Sequence, residues 1–120
     1  MAEIRESTIQ GQILEYLRWR QIPADPTHST RNHPETPGMP DIMLALPPWG
    51  RMVLLEVKAE DGKLSEDQER VMAKYSQGGA ITYVVRSVAD AQAAVDDAID
   101  ETRTLYGDPR KAQPLGVLKS

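Results

Sequence analysis

The stretch Met52-Val53-Leu54-Leu55-Glu56-Val57-Lys58, residues 52–58, is the strongest strand signal in the chain. Its run of apolar residues is interrupted only by Glu56 and Lys58. Successive side chains on a strand point to opposite faces, so Leu54, Glu56 and Lys58 share one face and Val53, Leu55 and Val57 the other. Glu56 and Lys58 therefore stand side by side, about 7 Å apart at Cα.

Upstream, Asp41-Ile42-Met43-Leu44-Ala45-Leu46 reads as a second strand, and Pro47-Pro48-Trp49-Gly50 reverses the chain between the two. So short a connection predicts an antiparallel hairpin. Pairing about that turn brings Asp41 to the same end as Glu56 and Lys58. Further upstream, residues 23–40 hold five prolines and both histidines, which predicts a loop with one short strand near residues 27–32. Before it, Ile9, Ile13, Tyr16 and Leu17 follow one helical face, predicting a helix over residues 3–20. Glu6 and Gln10 extend that stripe backwards, and a carboxylate on a core-facing stripe needs a partner.

Downstream of the central strand, Gly62 opens a turn. Ser65-Glu66-Asp67-Gln68 forms a capping box that starts a helix running to about Gln77, with Val71, Met72 and Tyr75 inward. Gly78-Gly79 ends it. Residues 80–85 form a third apolar strand, and Ser87 caps a last helix with Val88, Ala91, Val95 and Ile99 inward. The order is helix, strands in a meander, helix, strand, helix. It predicts an α/β fold of three layers, a mixed central sheet flanked by helices.

The chain has 120 residues, 40% hydrophobic and 27% charged, as expected of one globular domain. It contains no cysteine, which excludes disulfides and thiolate metal sites. MAEIRESTIQ has no apolar leader, and no apolar run approaches a membrane span, so a cytoplasmic location is expected. The net charge of −4 is mildly unfavourable for nucleic-acid binding, although a site that holds a metal is itself acidic.

Two carboxylates and an ammonium at one sheet edge suit phosphodiester hydrolysis. Hard oxygen ligands select Mg²⁺, with Mn²⁺ as a substitute. Lysine beside them either stabilises developing charge or orients and deprotonates the attacking water. Glu6 is placed to add a carboxylate, or it is a solvated residue of the first helical turn. Gln68 either hydrogen-bonds the site or only closes the capping box. His28 and His33 lack a third partner at zinc-ligand spacing. Trp19 and Trp49 offer either base-stacking surfaces or packing anchors. Arg18, Arg20, Arg31, Arg51, Lys63 and Arg86 are candidate phosphate contacts or ordinary surface charge.

Pro40-Asp41, fourteen residues, then Glu56-Val57-Lys58 is similar to the PD-(D/E)XK nuclease signature. More narrowly, GMPDIML, VLLEVKAEDGKLSEDQ and GGAITYVVRS in that order resemble the VRR-NUC family of virus-type replication and repair nucleases. The family includes stand-alone phage and bacterial proteins and the catalytic domain of a eukaryotic interstrand-crosslink repair nuclease. The resemblance covers about residues 5–95. It implies a restriction-endonuclease-like fold, placed over residues 1–106; residues 107–120, which have no clear period, read as a tail or a partner-docked segment. It implies an Mg²⁺-dependent DNA endonuclease in which Asp41, Glu56 and the Val57 carbonyl bind the metal and Lys58 is the catalytic lysine. Glu6 and Gln68 map to the family's supporting glutamate and glutamine. Stand-alone members are similar to Holliday-junction resolvases and tend to be homodimers, which implies branched DNA as substrate in a bacterial or phage-infected cell. Between the first helix and Asp41, where family members often carry more basic residues, this chain has only Arg31, His28 and His33. The same pattern also fits an inactive or partner-dependent DNA-binding or assembly domain, or a small α/β interaction domain.

Overall fold

The structure, a computed structural model, describes residues 4–27 and 37–108. The elements are α1 (Glu6–Trp19), β1 (Ala24–Pro26), β2 (Ile42–Leu46), β3 (Arg51–Val57), α2 (Glu66–Gln77), β4 (Ile81–Val85) and α3 (Val88–Tyr106). The strands form one mixed sheet in the order β1-β2-β3-β4. β1, β2 and β3 are antiparallel neighbours, and β4 returns parallel to β3 after the α2 crossover.

Alternation along β3 separates two packed faces. Val53, Leu55 and Val57 join Ile42, Leu44, Leu46, Ile81 and Val85 in the main core. That core is closed by Ile9, Ile13 and Leu17 of α1 and by Ala91, Ala94, Val95 and Ala98 of α3. Small alanines on α3 let its axis approach the sheet and α1 together, where the chain has no Phe to fill a wider gap. Leu54 and Glu56, also buried, face the other way, towards α2. The result is three layers, α1 and α3 on one side and α2 on the other. This is the mixed α/β, restriction-endonuclease-like architecture expected from the sequence.

Local chemistry explains the element ends. Both halves of the Ser65–Gln68 capping box are present at α2, and Ser87 Oγ accepts from the Asp90 N–H at α3. α1 has no side-chain cap and begins instead with an acidic first turn at Glu6. On α2 only Met72 is fully buried, while Val71 and Tyr75 are half-buried.

Of the short strand expected near residues 27–32, residues 28–32 lie outside the described residues; a short strand is present at Ala24–Pro26. Ala-Asp-Pro carries no alternating apolar pattern, so the strand is defined by pairing alone. The Ala45 N–H donates to the Pro23 carbonyl and the Thr27 N–H to the Asp41 carbonyl, both at 3.0 Å. Pro26 is tolerated because β1 is an edge strand. His28, Arg31 and His33 lie outside the described residues.

One glycine fixes how the loop before β2 meets α2. Gly38 has φ +88°, and a Cβ there would lie 2.5 Å from the Asp67 carbonyl carbon and oxygen and 2.8 Å from the Gln68 nitrogen. Those atoms are helix backbone and have nowhere to go. Gly38→Ala is therefore expected to destabilise the fold by about 2 kcal/mol or more. Gly11 sits exposed within α1 with nothing within 4 Å of an added Cβ, so Gly11→Ala is expected to stabilise by about 0.5–1 kcal/mol. Urea unfolding of the two variants beside the parent checks both signs.

Candidate active site

The β2–β3 register pairs Ile42 with Leu55, so one step further Asp41 stands opposite Glu56. Asp41 does not continue the backbone ladder to β3. Its Oδ2 accepts the Val57 N–H at 2.8 Å, and this side-chain bond closes the open end of the hairpin. One carboxylate oxygen is thereby fixed against β3, beside the Glu56 carboxyl. The turn at Gly38 seats this segment on the first turn of α2.

Glu56 is 2% exposed, an unusual place for a carboxyl. Its Oε1 receives a long 3.4 Å hydrogen bond from Gln68 Nε2. Its Oε2 is buried with no hydrogen-bond partner among the described residues. Burial, first of all, pushes its pKa up to about 9; a carboxyl–carboxylate hydrogen bond with Asp41 and then the Asp41 charge push the same way, Lys58 pulls it back, and the Glu6 charge adds a smaller upward push. Without a counter-charge in the site, Glu56 is protonated at neutral pH.

Gln68 performs both tasks that the sequence left open. Its Oε1 accepts the Ser65 N–H at 2.9 Å, closing the capping box, and its Nε2 turns to Glu56. Lys58 is half-buried, and its N–H donates to the Val85 carbonyl at 3.0 Å, so its backbone still belongs to the sheet. Glu6 differs from the expectation of a core-facing carboxylate. It is exposed, because the first turn of α1 overhangs the end of the sheet, and its Oε2 accepts the Ala59 N–H at 3.2 Å. Its charge acts on Glu56 while its oxygen holds the turn after Lys58.

The donor set suits a small, hard divalent cation. An orphaned, buried carboxylate oxygen beside a second carboxylate is satisfied by such an ion better than by any side chain nearby. Among the described residues no group of three or more acidic, His or Cys side chains gathers around one point. Two carboxylates with backbone oxygen and water agree with the way Mg²⁺ is usually held. Asp41 and Glu56 are the side chains that could hold it, and the Val57 carbonyl is the nearest backbone candidate in sequence.

The basic candidates divide. Arg20 bonds Tyr16 Oη and Asp96, and Arg51 bonds Glu101, Thr102 and the Gly79 carbonyl. Arg86 is engaged with backbone carbonyls. Arg18 and Lys63 are exposed. Trp19 is 79% exposed. Trp49 is anchored, its Nε1 donating to the Gly107 carbonyl at 2.7 Å with Arg103 over its ring. The sequence places a turn at Gly62, but no local signal shows that Glu6 and Arg86 both bond the Ala59–Gly62 backbone.

The hairpin that carries Asp41, Glu56 and Lys58 at one end, with α2 over Glu56, lies in a restriction-endonuclease-like α/β fold. The VRR-NUC domain family matches residues 5–89, and the chain belongs to that family. A solved structure described as a VRR_NUC domain matches with TM-score 0.59 at 25% identity, covering 79% of this chain and 94% of that one. No match was found among curated proteins. No helix among the described residues is long and apolar enough to cross a membrane.

The raised Glu56 pKa has a measurable consequence. Between the unfolded value of 4.5 and about 9 the folded protein binds a proton that the unfolded chain releases. The associated stability is complete below 4.5 and is lost as pH rises through 9. Metal-free protein is expected to show a falling Tm from about pH 5 to about pH 9, and Glu56→Gln to flatten that slope. Since a metal must displace the proton, Mg²⁺ or Mn²⁺ should raise Tm more at about pH 8.5 than at about pH 6. Thermal melts across pH, with and without metal, check both.

Proposed function

We propose that this chain is an Mg²⁺-dependent endodeoxyribonuclease of the PD-(D/E)XK type that hydrolyses phosphodiester bonds in branched or otherwise structured DNA. The observation that carries the reading is the buried, unpartnered Oε2 of Glu56 set beside Asp41. Membership of the nuclease-type family supports it.

In this reading Asp41, Glu56 and the Val57 carbonyl hold the metal, and Mn²⁺ substitutes. Bound there, Mg²⁺ supplies Lewis-acid polarisation of the phosphoryl group and lowers the pKa of a coordinated water. The protein does the rest. The Val57 N–H fixes the orientation of Asp41. Gln68 holds Glu56 Oε1 and leaves the buried Oε2 as the ligand position. Lys58, next along the same face of β3, presents its ammonium where charge develops on the phosphate, or takes a proton from water hydrogen-bonded to it. Glu6 braces the turn beyond Lys58 and adds negative potential that favours a cation. A homodimer would present two such sites to a two-fold-related junction, inside a bacterial or phage-infected cell.

A second reading has its own support. Arg20, Arg51 and Arg86 are all engaged within the molecule, and the net charge is −4. Sparse positive surface fits a domain that needs a partner to bring it to DNA. Labelled four-way junction, flap and linear duplex DNA, incubated with Mg²⁺ or Mn²⁺ against EDTA, separate the two. The nuclease reading expects metal-dependent cutting, strongest on a branched substrate, and a loss of at least about 100-fold in Lys58→Ala. A folded wild type that cuts none of the three supports the partner-dependent or inactive reading.

A further inference from the structure

Arg86 follows β4 directly, and its side chain reaches across to the turn that follows β3. Its Nη1 lies 2.6 Å from the Ala59 carbonyl oxygen, 3.1 Å from that of Glu60 and 2.8 Å from that of Gly62. One amino group thus faces three carbonyls of a single turn. That turn is closed on itself by the Gly62 N–H donating to the Ala59 carbonyl at 3.0 Å. The Ala59 N–H is held from the other side by the Glu6 carboxylate. A cation sits on the carbonyls and an anion on the N–H, and hydrogen bonds of this charge-assisted kind are roughly twice as strong as neutral ones.

Both ends of the clamp are anchored. The Arg86 N–H donates to Asp90 Oδ2 at 2.9 Å, in the first turn of α3. The Lys58 N–H donates to the carbonyl of Val85, the residue before Arg86. Lys58 and Arg86 therefore leave neighbouring parallel strands together. The turn in turn touches the lysine: a Cβ on Gly62 would stand 3.3 Å from Lys58 Cδ and 3.3 Å from Glu6 Oε2. Gly62 thus lies beside the aliphatic stem of Lys58 and the carboxylate of Glu6, with less than a methyl group's room between them, so a displaced turn would disturb both.

We propose that Arg86 is a positioning residue that clamps the Ala59–Gly62 turn and, through it, orients Lys58 and Glu6, and is not a phosphate contact. The proposal rests on the nuclease reading for its kinetic consequence, but not for its structural one. A positioning arginine governs turnover. A phosphate contact governs DNA affinity and its salt dependence.

The test compares Arg86→Ala, Arg86→Gln and Arg86→Lys in the full chain. In Arg86→Ala, kcat on the best substrate is expected to fall about 10- to 100-fold. The Kd for the same DNA in EDTA should stay within about twofold, with an unchanged salt slope. Arg86→Lys should recover much of the rate, because an ammonium offers three N–H groups to the three carbonyls. Amide hydrogen exchange at Ala59 and Gly62 should accelerate in Arg86→Ala and slow again in Arg86→Lys. If Arg86→Ala does not fold, Arg86→Gln carries the same readouts. Weakened DNA binding with a salt slope lower by about one phosphate, at unchanged kcat, overturns the proposal, as does unchanged exchange at the two amides. If wild type cuts no DNA, the nuclease reading fails by itself, and the exchange measurement still decides for or against the clamp.

Discussion

A carboxyl buried to 2% exposure beside a second carboxylate is the constraint around which this molecule is arranged. Burial and like charge both resist ionisation of Glu56, and one of its oxygens is left without a partner. A fold under selection for stability alone would place an apolar residue at that position, as it does at Leu54 two residues earlier on the same face. The cost of keeping the acid there is offset by the apolar core on the opposite face of β3, where Val53, Leu55 and Val57 are fully packed.

Several weak local features converge to hold that one group. The Pro47–Gly50 turn sets the register that brings Asp41 to Glu56. Gly38 allows the preceding loop to touch the backbone of α2, and the Ser65–Gln68 capping box aims the Gln68 amide at the acid. The parallel return of β4 then places Arg86 beside the turn after Lys58. Most of these contacts are exposed or half-buried hydrogen bonds that contribute little to stability singly. Their common effect is to restrict the positions of Asp41, Glu56 and Lys58, which is what a preorganised site requires.

Much of this was legible from residues alone. Alternation in MVLLEVK and the short Pro-Pro-Trp-Gly connection gave the hairpin and brought Asp41 to the end that carries Glu56 and Lys58, because strand period and turn length leave few choices. Ser65-x-x-Gln68 marked the start of α2 for the same local reason. What escaped the sequence was decided by tertiary contact. Ala24–Pro26 is a strand only because β2 lies beside it. Glu6 lies on the helical stripe by spacing, yet hangs beyond the sheet end, where an amide N–H meets it. Arg86 looked like any surface cation, since nothing local shows that three carbonyls from a turn some 24 residues earlier converge on it.

In the reading proposed above, Asp41 and Glu56 form one cation site, and the unpartnered Glu56 oxygen is a ligand position. The most direct measurement is anomalous diffraction from crystals of the protein soaked in Mn²⁺ at about pH 8, where the ion stays in solution and itself displaces the Glu56 proton. A single strong anomalous peak is expected within coordination distance of Glu56 Oε2 and an Asp41 oxygen. Well-ordered Asp41 and Glu56 side chains with no anomalous peak between them, or a peak bound elsewhere while Glu56 stays unpartnered, would contradict it.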